Sequence, residues 1–92
     1  MQDSSIKRYT IPSHVRWSVE THYLLLWAPS GNAQTIDYPQ AAIWDFITRN
    51  YNVNDIIARL SIITNCTEHE MKKLYIESTN EWVRNGVLTL YT

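Results

Sequence analysis

The chain has one cysteine, two glycines, three prolines and a formal charge of only −1. A single cysteine, Cys66, cannot build an internal disulfide framework, and it fits a reducing cytoplasm. Eight Lys and Arg stand against nine Asp and Glu, so the cationic excess by which nonspecific nucleic-acid binders neutralise phosphates is missing. The longest apolar run, Tyr23 to Ala28, is strand-sized and far short of the ~20 residues that cross a bilayer. The first residues, MQDSSIKRYT, contain no apolar signal core, so export is not expected. Repeats and low-complexity tracts are also absent.

What is present describes one ordinary globular domain. Apolar residues make up 45 % and charged residues 18 %. A chain this short buries somewhat over ~60 % of the surface its unfolded form exposes. Four Trp and six Tyr are many for 92 residues. They fill a core, and their polar tips also suit a binding surface.

Residues 1–14 are polar and aperiodic and read as a flexible arm, leaving 15–92 as the folded domain. Val15 to Glu20 alternates apolar and polar, as a half-buried strand does. Tyr23 to Ala28 is apolar on both faces: Tyr23, Leu25 and Trp27 point one way, Leu24 and Leu26 the other. The second face wants covering by the arm, by a twin subunit in a homodimer, or by a partner. Pro29 to Asn32 is turn chemistry, with Gly31 or Asn32 suited to positive φ. A third strand, Ala33 to Tyr38, puts Ile36 inward.

The first helix spans roughly Pro39 to Asn50, with Ile43, Phe46 and Ile47 on one face. Asn52 caps a second helix, with Asp55 three residues on and a buried stripe of Ile56, Ile57, Leu60 and Ile63. Thr67 and Glu70 form a capping box for the third helix, which runs to about Asn85 and stops at Gly86. Its inward face is Met71, Leu74, Tyr75, Ser78 and Trp82. Val87 to Leu90 alternates weakly as a closing strand. Three short strands followed by three helices define the α+β class.

The strand from Ala33 to Asp37 is short, poor in large apolar residues and next to a helix entrance. Proteins usually hide an open sheet edge, so leaving one available points to use by another chain. The alternative is pairing with the C-terminal segment Val87 to Tyr91.

Several segments of this order resemble the PqqD family, the winged-helix-like recognition elements of ribosomally made, post-translationally modified peptides. Leu26-Trp27-Ala28-Pro29 is similar to the family's Leu-x-x-Pro turn. Ile36 to Trp44 resembles its entry into the first helix, with Pro39-Gln40 where Thr-Ala is usual. Val15-Arg16, Asn54 to Leu60 and Gly86-Val87-Leu88 match its first strand, second helix and ending. Ser78-Thr79 departs from the bulky apolar residues commoner in the third helix and reshapes the groove beside them.

The resemblance implies a winged helix-turn-helix-like domain that binds the leader segment of a precursor peptide. It presents that segment to a separate modifying enzyme, often a radical S-adenosylmethionine enzyme, with no cofactor of its own. The leader adds as a strand beside Ala33, Gln34, Thr35, Ile36 and Asp37, against the third helix. Candidate contacts on that helix are Met71, Lys72, Leu74, Tyr75 and Ser78. Leu74, Tyr75 and Ser78 serve equally as plain core, and Lys72 with Lys73 as a solvated face whose Glu68–Lys72 spacing favours an intrahelical pair.

Other chemistries are poorly supplied. Cys66 and His69, even with His14 and His22, fall short of a structural zinc set. Cys66 and a histidine lack the orienting third group of a nucleophilic site. Asn65-Cys66-Thr67 matches a glycosylation sequon, but without export it is a helix cap. The competing function is a DNA-binding winged helix, in which the third helix would enter a major groove. Glu68 and Glu70 at its leading end would repel phosphate. An enzyme is not expected, because no catalytic constellation stands out.

Overall fold

The computed structural model describes residues 8–28 and 31–91. It is α+β, in the order β1 (Arg8–Thr10), β2 (Arg16–Val19), β3 (Tyr23–Trp27), β4 (Ala33–Asp37), α1 (Gln40–Thr48), α2 (Val53–Thr64), α3 (Glu68–Arg84) and β5 (Thr89–Tyr91). Strands β2, β3 and β4 form one antiparallel sheet in that order, and β1 pairs with β5 in a second. The expected three-stranded antiparallel sheet ahead of three helices is present, and a second, two-stranded sheet that the sequence did not announce is added to it. Part of the supposed arm, Arg8 to Thr10, is β1. The rest of that segment (1–7) and the Pro29-Ser30 half of the turn lie outside the described residues.

Local chemistry sets the helix ends. Asn52 caps α2 by accepting from the Asp55 N–H at 2.9 Å. Thr67 and Glu70 form the reciprocal box: the Thr67 N–H donates to Glu70 Oε1 (3.0 Å), and the Glu70 N–H donates to Thr67 Oγ1 (3.1 Å). At the far end of α3, Gly86 takes φ of +80°. The Gly86 N–H donates to the Val83 carbonyl (3.1 Å) and the Val87 N–H to the Trp82 carbonyl (3.0 Å), the Schellman pattern. α1 closes in the same way, with Asn50 at φ of +63° in the glycine's place.

The helices cover one face of the larger sheet. Leu24 and Leu26 are buried there, together with Ile36, Ala41, Ile43, Trp44, Ile47, Ile56, Leu60, Val87 and Leu88. Facing them across the strand register are Val19 and Trp17 of β2. Trp44 is central: its ring meets Trp17 at 5.8 Å and Trp82 at 5.2 Å, both nearly perpendicular. That edge-to-face geometry suits the aromatic quadrupole and ties β2, α1 and α3 together.

Three expectations about burial are corrected. Leu24 and Leu26 lie under the protein's own helices and are not available to a twin subunit. The apolar face of Val15 to Glu20 loses cover along its length, from Val15 at 5 % to Trp17 at 38 % and Val19 at 55 % exposed, because β2 is an edge strand at the rim of the helical layer. Ile63, expected in the α2 stripe, is 62 % exposed. It belongs to the last turn of the helix, beyond the buried Ile56, Ile57 and Leu60. In α1 the expected face holds, with Ile43 and Ile47 buried and Phe46 packed half-buried against the core and stacked on Tyr51 at 5.3 Å, and Trp44 is fully buried beside them.

Candidate functional site

Strand β4 is an edge, and the hydrogen-bond parity of its hairpin decides what that edge offers. In an antiparallel pair, opposed residues alternate between exchanging hydrogen bonds and not doing so. The Ala28 N–H donates to the Asn32 carbonyl (3.1 Å), and this pair continues the β3–β4 register. Gln34 and Ile36 consequently bond to Leu26 and Leu24. Ala33, Thr35 and Asp37 turn their N–H and C=O groups away from β3. The other side agrees: the Glu20 N–H donates to the Tyr23 carbonyl (2.8 Å), which assigns Tyr23, Leu25 and Trp27 to β2.

Next to this edge lies a groove of about 210 Å³ lined by Gln34, Thr35, Ile36, Asp37, Gln40, Ser78, Glu81 and Trp82. Ser78 is 5 % exposed, and its Oγ is buried with no hydrogen-bond partner. The contrast with its neighbour is informative. Thr79 is equally buried, but its hydroxyl donates to the Tyr75 carbonyl one turn back (2.9 Å). A buried hydroxyl left unpaired costs about 1–3 kcal/mol; the other buried unpaired side-chain atom among the described residues is Trp44 Nε1, in the core, whereas Ser78 borders the groove.

The remaining α3 candidates lie elsewhere. Tyr75 and Lys72 border a larger depression of about 550 Å³ between α2, α3 and β1, with Tyr9, Ile57, His69 and Asn80. Burial, with Tyr9 adding to it, pushes the Tyr75 hydroxyl up from 10.0 to about 12. Met71 is buried in the core, with its Sδ 3.5 Å from Thr64 Oγ1. Leu74 is half-buried against the core, one turn before Ser78. Lys73 is exposed and lines neither depression. Thus Ser78 and Gln34 to Asp37 come together, while Lys72 and Tyr75 form a separate group. Ala33 continues the β4 edge beyond the groove lining.

Sequence reasoning missed Gln40, Glu81 and Trp82 as groove residues. The signal for two of them was available, since Glu81 and Trp82 follow Ser78 by three and four residues and share its helix face.

No family model, curated protein or solved structure matches the chain. Among the described residues no helix is long and apolar enough to cross a membrane, and no three His, Cys, Asp or Glu side chains converge as metal ligands.

Proposed function

We propose that this protein binds an extended polypeptide by strand addition along β4, with the guest lying in the groove against α3. The observation that carries this is the open outer edge at Ala33, Thr35 and Asp37 beside the unpartnered Ser78 hydroxyl. Among the described residues β5 does not compete for the edge, because it pairs with β1. The opposite edge of the sheet, β2, adjoins neither depression. Main-chain hydrogen bonds would supply sequence-tolerant affinity, and alternate side chains in the groove would supply selection.

The sequence resemblance to the PqqD family supplies the class of guest: the leader of a ribosomally made precursor peptide, handed to a separate enzyme such as a radical S-adenosylmethionine enzyme. On this proposal the domain is winged-helix-like and acts as a peptide chaperone without catalysis of its own. Synthetic leader segments from short reading frames beside the gene, titrated into isotope-labelled protein, test it. The amide signals of Ala33, Thr35 and Asp37 should move first and furthest. Titrations in which these amides stay still, while others respond, contradict it.

A further inference from the structure

We infer that the groove between β4 and α3 selects a guest strand carrying a basic side chain, arginine or lysine, that reaches Ser78 and Glu81. This rests on strand addition at β4 and adds to it the chemistry of the guest. The charged residues lining the groove, Asp37 and Glu81, are both carboxylates, and no Lys, Arg or His is among the lining. Neither carboxylate is neutralised from within the described residues, whose ion pair joins Arg49 to Asp45 in α1. Arg84, three residues beyond Glu81, makes no such pair with it. Lys72, the cation that could have drawn an acidic guest, borders the other depression.

Two carboxylates alone would be an ordinary solvated surface. The Ser78 hydroxyl makes the difference, because it is buried, borders the same groove and has no hydrogen-bond partner among the described residues. A serine oxygen can accept from a guanidinium or ammonium N–H while the nearby carboxylate supplies the opposite charge. An apolar guest side chain would cover Ser78 and leave it unbonded. An acidic one would add a third negative group. Since alternate side chains of an added strand face the helix, one basic residue at a groove-facing position satisfies both Ser78 and Glu81.

The test uses a short host strand of alternating Thr and Val with one central guest: Arg, Lys, norleucine or Glu. Each peptide is titrated into the isotope-labelled full chain. Arg and Lys guests should bind about tenfold tighter than norleucine, and Glu more weakly than norleucine. In Glu81→Gln and in Ser78→Ala the advantage of Arg over norleucine should shrink severalfold. Norleucine binding as tightly as Arg to the wild type overturns the selection and leaves strand addition standing, provided the β4 amides still shift. An Arg preference that survives both substitutions overturns the assignment to Ser78 and Glu81. A panel of which no member moves the amides of Ala33, Thr35 and Asp37 overturns strand addition and the selection together.

Discussion

Leu90 pairs with Tyr9, not with any residue of β4. Segments from the two ends of the described chain thus satisfy one another, and among the described residues no strand pairs with the outer edge of β4. Sheet edges are ready templates for another strand, and this one lies beside a groove rather than beside bulk solvent alone.

Hairpin parity makes two adjacent prolines behave differently. Thr35→Pro removes an N–H that points outward, so the fold should hold while affinity for an added strand falls about tenfold. Gln34→Pro removes an N–H that bonds to β3 and should destabilise the domain by about 2 kcal/mol or more. Urea unfolding of both variants, paired with calorimetric titration of the Thr35 variant, separates the effects. Equal stability losses would contradict the parity.

The assignment of β3 faces is tested in the same way. Leu26→Ala should cost about 2–5 kcal/mol in chemical denaturation, because its side chain is fully buried under the helices. Leu25→Ala, on the opposite and half-buried face, should cost clearly less. Replacing Leu24 and Leu26 together by Glu should unfold the monomer. A folded double variant that merely loses self-association in ultracentrifugation would restore the subunit contact that the burial argues against.

Glu70 carries a pH dependence. Hydrogen bonds from Thr67, first from its backbone N–H and then from its hydroxyl, hold the Glu70 carboxyl below its ordinary 4.5. A carboxylate depressed on folding contributes stability that is present above the ordinary value and lost as pH falls through the folded one. Acid unfolding followed by circular dichroism should therefore show less loss in this range for Glu70→Gln than for the wild type. Thr67→Ala should cost about 1 kcal/mol at neutral pH. Indistinguishable acid profiles would contradict the role of Glu70 in the cap.

Tyr75 acts at the other end of the scale. Its hydroxyl is raised on folding to about 12, so the stability it contributes is whole below 10.0 and is lost as pH climbs from there towards 12. In a spectrophotometric titration of tyrosinate, Tyr75→Phe should remove the last ionisation step of the folded protein. Loss of an earlier step instead would place the Tyr75 hydroxyl in a wetter setting.

Features fixed by neighbouring residues were legible in the sequence, and features fixed by distant pairing were not. The Thr67–Glu70 box, the Asn52 cap and the Gly86 stop each depend on a few adjacent residues, and all three stand where the pattern put them. The pairing of β1 with β5 joins segments of three residues each from opposite ends of the described chain, with too little periodicity to announce themselves. In α1, Ile43, Trp44, Phe46 and Ile47 crowd so much of the helix that periodicity alone could not choose between Trp44 and Phe46 for the centre. β3 is apolar on both faces, so which one met the helices was undetermined until the sheet had sides. Edge strand and groove were legible in part: the open side of β4 was foreseen, but the split of the α3 candidates between two depressions depends on where α2 and β1 pack.

Amide exchange along β4, with and without the arginine-guest host strand, tests strand addition most directly. In the free protein the amides of Thr35 and Asp37 should exchange quickly while those of Gln34 and Ile36 are protected, and the guest should slow Thr35 and Asp37 without altering Gln34. Thr35 and Asp37 amides that are already protected in the free protein, or that remain fast when the guest is bound, would contradict a strand added at this edge.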